Sequence, residues 1–234
     1  MNPRGDPGGA ILAFDCAGAV CQAALWREGR VVARRDRASV HGQAEILLPM
    51  IEAAMVEAAL GYGDLAAIAT TVGPGSFTGL RAGLAVARGL ALATGLPAVG
   101  IDRFSAAAHA AGAAERRGRS VLAAIDSRRE EIFVQGFDEN LAPLGAPAVL
   151  TPRDAAAAAP PGALLIAGDA AGALCDALRA AKRDAVASAG IGATDSAVVA
   201  ALAAAVLARG GALPPLRPLY LRPPDVTPPP WRRP

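Results

Sequence analysis

Histidine and cysteine are scarce in this 234-residue sequence: His41 and His109 are the two histidines, and Cys16, Cys21 and Cys175 the three cysteines. An odd number of cysteines without Cys-x-x-Cys spacing, joined by so few imidazoles, argues against both a disulfide framework and a structural zinc. Charge of one sign is lacking too. The 23 cationic residues, all arginine but Lys182, are interspersed with 21 acidic ones, leaving a net charge of +2 and no basic stripe that would demand a polyanion. No hydrophobic run approaches the roughly 18 residues needed to span a bilayer. Met1 to Gly9 lacks the apolar centre of a signal peptide. These absences describe a cytoplasmic protein with no membrane partner. Aromatics are only 4%, yet hydrophobic residues make up 53% and charged ones 19%, a balance that excludes disorder for the bulk of the chain.

Ala10 to Asp15 (AILAFD) is an apolar run ending on a carboxylate, the pattern of a buried strand arriving at a site. Val20 to Arg27 and Arg30 to Ala38 are two β-prone runs around Glu28-Gly29, so a hairpin follows and three antiparallel strands open the chain. Between His41 and Leu60 the period becomes helical. Ala44, Leu47, Leu48, Ile51, Ala54, Met55 and Ala58 form one apolar stripe; Ile46, Met50, Ala53, Val56 and Leu60 form a second, leaving Glu45, Glu52 and Glu57 for water. One stripe suffices to cover a sheet, so the excess predicts a buried helix or a partner. Pro49 should kink this helix or delay its start.

Leu65 to Val72 reads as a buried strand running into Gly73-Pro74-Gly75-Ser76-Phe77-Thr78-Gly79 and a helix from about Thr78 to Thr94. Along that helix Gly79, Gly83, Ala87 and Ala91 recur every four residues and let another backbone come close. Ala98 to Ile101 completes a βββαβαβ order, an α/β arrangement. Ser120 to Asp126 and Glu131 to Phe137 begin a second series. Beyond them Leu164 to Ala167 is a strand, Ala170 to Ala181 and Thr194 to Arg209 are helical, and a proline-rich tail starts at Pro214.

The Gly73 to Gly79 loop could cradle a phosphate on exposed N–H groups at a helix N-terminus. It lacks the Gly-Lys-Ser/Thr ending of a P-loop and the Gly-x-Gly-x-x-Gly spacing of a dinucleotide site, which favours a tight strand-to-helix turn built by Gly73, Gly75 and Gly79. Ser76 is a helix N-cap rather than a nucleophile, since Gly-Ser-Phe-Thr-Gly is not the Gly-x-Ser-x-Gly elbow. Asp15 and Asp126 each end the first strand of a series and could hold a hydrated magnesium ion or merely cap a turn. His41 and His109 read as surface residues and Cys16 as a small buried side chain. Arg34-Arg35-Asp36-Arg37, Arg116-Arg117 and Trp231-Arg232-Arg233 read as solvated surface more readily than as an RNA site.

The segment order and motifs resemble the TsaB (YeaZ) family, the bacterial partner subunits in threonylcarbamoyladenosine modification of tRNA. The likeness runs from Ile11 to about His109, through Ile11-Leu12-Ala13-Phe14-Asp15, Leu47-Leu48-Pro49-Met50-Ile51, Gly73-Pro74-Gly75-Ser76-Phe77-Thr78-Gly79-Leu80-Arg81-Ala82-Gly83 and Gly89-Leu90-Ala91. It continues more weakly through Asp126-Ser127-Arg128 and Pro218-Leu219-Tyr220-Leu221-Arg222. The resemblance implies the actin-like ATPase superfamily fold, two ribonuclease-H-like lobes with mixed sheets. The expected units are residues 10–112, and a smaller, degenerate lobe of residues 118–222, between flexible tails at 1–9 and 223–234.

By the same resemblance the chain is no enzyme: it binds and activates a TsaD-like catalytic subunit for threonylcarbamoyl transfer to N6 of adenosine 37 in tRNAs reading ANN codons. A TsaE-like ATPase assists, tRNA is met only through the complex, and the chain pairs with itself when alone. The paired metal-binding histidines of TsaD correspond to Arg103 and Ala107 here, so no metal is implied for this chain. The Gly-Thr-Thr cradle of superfamily ATPases is replaced by Cys16-Ala17-Gly18-Ala19 after Asp15 and by Ser127-Arg128-Arg129-Glu130 after Asp126, leaving two carboxylates of a vestigial nucleotide site. ATP and a divalent metal are then cofactors of the partner subunits. The family's partner surface implies an interface at Leu47, Met50, Ile51, Ala54, Gly79, Gly83, Ala87 and Leu90, which Gly83→Glu or Met50→Asp should break without unfolding the monomer. The alternative is a Mg-ATP-dependent phosphotransferase or a peptidase-like enzyme of the same superfamily.

Overall fold

Strand β1, Ala10–Asp15, is buried at every position, as its unbroken apolar run requires, and lies at the centre of a five-stranded sheet. The computed structural model describes residues 8–38, 42–190 and 192–222. Antiparallel to β1 runs β2, Val20–Arg27, then β3, Arg30–Ala38; parallel to it run β4, Leu65–Thr71, and β5, Ala98–Ile101, giving the order β3-β2-β1-β4-β5. The β2–β3 turn places Glu28 at φ 51° and Gly29 at φ 83°, the left-handed pair that a two-residue hairpin needs and that glycine supplies without strain.

Helices α1, Gln43–Glu57, and α2, Phe77–Thr94, cover one face of this sheet, burying Leu47, Ile51, Ala54, Met55 and Ala87 against Leu12, Phe14 and Ile68. Pro49 neither delays nor ends α1, which starts at Gln43 and continues to Glu57. The proline sits on the exposed side, where water can satisfy the Glu45 carbonyl that loses its helical donor. After β5 come α3, Arg103–Ala110, and the single turn α4, Ala113–Arg116.

The second sheet repeats the first. Strands β6 (Ser120–Asp126), β7 (Ile132–Phe137), β8 (Ala148–Leu150), β9 (Leu164–Ala167) and β10 (Ala185–Ala187) take the order β10-β9-β6-β7-β8, with the same antiparallel and parallel pairings. Helices α5, Pro152–Ala158, and α6, Ala171–Ala180, cover its outer face. The second series is therefore a full five-stranded unit. β8, β10 and α5, which the sequence reading missed, are short, though Thr151-Pro152-Arg153-Asp154 is a readable helix start: Thr151 Oγ1 accepts the Asp154 N–H at 3.1 Å.

Between the sheets one helix of each series, α3 and the last helix of the chain, packs on the sheet of the other. α3 packs its Phe104, Ala107 and Ala108 on Val121, Ala123 and Ile125 of the second sheet. The final helix α7, Ser196–Arg209, returns to the first sheet, where Val199, Ala200 and Ala203 meet Ile11, Ala13, Ala67, Ala69, Val99 and Ile101. The chain changes sheets between Ile101 and Ser120, where the expected units 10–112 and 118–222 meet, and α3 and α7 each pack on the sheet of the other series. Most of the expected tails, and His41 and Trp231-Arg232-Arg233, lie outside the described residues.

Asp15 pairs with Gln22 across the first hairpin, so Cys16 and Cys21 face each other one step beyond, with Cα atoms 4.2 Å apart and their sulfurs joined in a disulfide. This corrects the expectation of unpaired cysteines: the hairpin turn brings them together, a signal that Cys-x-x-Cys spacing does not carry. Cys175 is free and buried, and burial pushes its thiol up.

The α4 turn is tied to the segment after β10 by Glu115, whose carboxylate accepts the N–H groups of Ala189 at 2.8 Å and Gly112 at 2.9 Å. These donors hold its carboxyl below the ordinary value of 4.5. A depressed carboxyl stabilises the fold above its unfolded value, and the contribution fades as pH falls through the folded one. Urea midpoints for Glu115→Gln should therefore fall below wild type at neutral pH, with the gap closing below about pH 4.

Candidate functional site

The two series meet at one buried guanidinium. Strand β5 ends at Ile101, Asp102 caps α3 by accepting the Ser105 N–H at 2.7 Å, and Arg103 becomes the first residue of the helix, aimed into the gap between the sheets. Arg103 is 1% exposed. Its Nε donates to Thr194 Oγ1 at 2.8 Å and lies 3.4 Å from Asp15 Oδ2; Nη1 donates to the Pro74 carbonyl at 3.0 Å and Nη2 to Asp169 Oδ2 at 2.9 Å. Burial alone would push this guanidinium down, but Asp15 and Asp169, with Asp126 adding to them, outweigh it and hold Arg103 above its ordinary value.

Asp15 is fully engaged. Its Oδ1 accepts the Ala17 N–H at 2.8 Å and the Thr71 hydroxyl, while Oδ2 faces Arg103. Asp126 is exposed and closes a local turn by accepting the Arg128 N–H at 2.6 Å. Of the two carboxylates of the expected vestigial site, Asp15 faces Arg103 directly, whereas Asp126 is linked to the same cluster by its N–H, which donates to Asp169 Oδ1 at 2.7 Å. Asp169, Thr194 and the Pro74 carbonyl are partners that sequence reasoning missed. Arg128 also reaches across, donating from Nη2 to the Gly18 carbonyl at 3.0 Å.

The Gly73 to Gly79 loop leads into α2 as expected, with Ser76 as N-cap accepting the Gly79 N–H at 3.3 Å. Of its amides, Ser76 N donates to the Ala17 carbonyl at 2.8 Å. A Cβ at Gly75 would stand 2.5 Å from that carbonyl oxygen and 3.0 Å from Arg103 Nη1; one at Gly79 would stand 1.9 Å from the Cys16 carbonyl oxygen. The space that a phosphate would need is filled by the chain itself, so these residues do not fit the metal–nucleotide pair associated with the superfamily fold.

The predicted partner residues lie inside the monomer. Leu47, Ile51, Ala54 and Ala87 are fully buried, Met50 nearly so, Gly79 and Gly83 face the first hairpin and Thr70, and Leu90 packs half-buried on the same core. At Gly79 the small-residue stripe of α2 admits the chain's own β1–β2 turn, and at Gly83 it lies against Thr70 of β4. The large apolar side chains of these helices that are exposed to water are Leu48, Val56, Phe77 and Leu92. His109 is exposed, as expected, with Nδ1 at 2.8 Å from the Ser105 carbonyl.

The Pro218 to Arg222 motif is absorbed by the fold. Pro214 accepts the Gly100 N–H at 3.2 Å and Leu219 donates to the Val72 carbonyl at 2.7 Å, so the segment runs along the first sheet. Tyr220 stacks on Phe77 with centroids 5.4 Å apart, and Arg222 pairs with Glu131 of the second series at 2.7 Å.

The profile of a family described as "TsaD: tRNA N6-adenosine threonylcarbamoyltransferase" matches residues 38–208. The tRNA threonylcarbamoyladenosine biosynthesis protein TsaB of Escherichia coli K12 is 38% identical over 133 residues, 56% of this chain and 56% of that protein. The chain spans about half the length of the TsaB relatives it matches in E. coli and Haemophilus influenzae. YeaZ from Pseudomonas aeruginosa superposes with a TM-score of 0.71 at 26% identity, covering 91% of this chain and 100% of that one. The ethanolamine utilization protein EutJ from Carboxydothermus hydrogenoformans shares the fold alone, with a TM-score of 0.52 at 15% identity over 86% of this chain and 91% of that one. The two mixed sheets are those expected of the actin-like ATPase superfamily. The chain belongs to the family that the profile describes and, within it, to the TsaB (YeaZ) group.

Proposed function

We propose that this chain is a non-catalytic partner subunit in threonylcarbamoyladenosine formation on tRNA, binding a TsaD-like transferase and activating it. The observation that carries this reading is the outward face of α1 and α2. Val56 is 80% and Leu92 88% exposed on two helices that pack side by side. Large apolar side chains held in water on adjoining helices are what a partner covers. Charge on the two helices is split: α1 turns Glu45, Glu52 and Glu57 outward, whereas α2 carries Arg81 and Arg88 and no acid. A partner that repeats this arrangement in reverse is complementary to it, whether a TsaD-like relative or, in its absence, a second copy.

In this reading tRNA is met through the complex, a TsaE-like ATPase acts beside it, and ATP and metal belong to the partner subunits. The test is reconstitution of tRNA modification from a TsaD-like transferase, a TsaE-like ATPase and the enzyme that forms the threonylcarbamoyl adenylate, with and without this chain. Modification should fall to background when the chain is omitted. Full modification in its absence would sink the proposal, and turnover of Mg-ATP or peptide by the chain alone would favour the phosphotransferase or peptidase-like reading.

A further inference from the structure

We infer that Arg103 is a built-in cation that stands in for a metal–phosphate pair between the two sheets and latches the two halves of the molecule together. The inference does not depend on which partner the chain serves. A guanidinium withdrawn from water is strongly disfavoured unless its donors and its charge are both answered. Here both are: all three nitrogens have oxygen partners, and two carboxylates face the group. The partners come from both halves. Asp15 ends β1 and Pro74 lies in the loop before α2, whereas Asp169 follows β9 and Thr194 precedes α7.

The surrounding backbone is shaped to the side chain, since a Cβ at Gly18 would lie 2.9 Å from Nη2 and one at Gly75 3.0 Å from Nη1. Planar fork geometry suits four partners arranged in this way, and a lysine ammonium cannot reproduce it. Asp15 is held by Arg103, Ala17 and Thr71, and the guanidinium occupies the place between Asp15 and Asp169 that a cation would take.

Hydrogen exchange separates a latch from general packing. In Arg103→Ala the amides of Ser76 and Asp126, one in each half, should exchange at least about tenfold faster, while those of Leu12 and Leu122 within the strands keep their rates. Millimolar methylguanidinium should restore protection, and Arg103→Lys should not. Should Arg103→Ala fail to fold, Asp169→Asn, which removes charge at a partly exposed partner and keeps an acceptor, should speed the same two amides more than the strand amides. The wild-type chain should show no Mg-ATP binding by calorimetry. Micromolar Mg-ATP binding by the wild type, wild-type exchange in Arg103→Lys, or exchange that rises uniformly or nowhere in the variants would overturn the assignment.

Discussion

Gly79→Val abolishes the folded state. The first turn of α2 rests directly on the β1–β2 hairpin turn, and a Cβ at this position would lie 1.9 Å from the Cys16 carbonyl oxygen and 2.9 Å from its carbon. The obstacle is backbone, and it is clamped by the Cys16–Cys21 disulfide and by Asp15, which accepts the Ala17 N–H. Relief requires α2 to lift away, breaking the Ser76–Ala17 hydrogen bond of 2.8 Å. Overpacking between side chains costs about 1–3 kcal/mol. Against an immovable carbonyl the cost should exceed about 4 kcal/mol, a large part of the roughly 5–15 kcal/mol that holds a domain together. Circular dichroism with urea titration reads this directly. Gly83→Ala is the control: its Cβ would sit 3.4 Å from Thr70 Oγ1, an ordinary contact, and the gain in helix propensity should offset any strain. A wild-type urea midpoint for Gly79→Val would show that α2 does not rest on this turn.

Val56→Glu and Leu92→Glu should abolish binding to the TsaD-like partner while leaving the monomer as stable as before. Both side chains are more than three-quarters exposed, so their loss to water should change folding by less than about 0.5 kcal/mol. A buried charge at the centre of an interface should cost about 2–4 kcal/mol, or about 30- to 1000-fold in affinity. Calorimetry against the partner, with gel filtration for self-association, measures both effects. Wild-type affinity in both variants would remove α1 and α2 from the interface. Gly83→Glu and Met50→Asp, which the sequence alone suggested for the same purpose, cannot serve. Both sites are buried within the monomer, so these changes put an unpaired carboxylate in its core and unfold it.

That reversal shows what the sequence could and could not say. Strands whose apolar runs are long or bounded by turn residues, such as Ala10–Asp15 and the pair flanking Glu28-Gly29, were legible to the residue. Ala148–Leu150 and Ala185–Ala187 are three residues each, too short for any period, and their pairing is decided by neighbours distant in the chain. A stripe of small residues on α2 announces that something approaches closely but not what, and the structure supplies the first hairpin. The candidate site suffered similarly. Asp15 could be picked out because it ends a buried strand, but nothing local ties Arg103 to Asp169 or Thr194, which lie 66 and 91 positions away.

The crossing of α3 and α7 bears on how the chain comes into being. Among the described residues, one face of the first sheet, with Ile11, Ala13, Ala67, Ala69, Val99 and Ile101, is covered by α7 and, of the helices made before it, by Ala106 of α3. During synthesis that face stays bare until Arg209 has cleared the ribosome, long after its own strands have emerged. Such a nascent chain carries an apolar surface through most of its translation, and its first half lacks the helix that would cover it. The gene cannot be cut between the two sheets to yield two soluble products, because each would lack the helix that the other encodes.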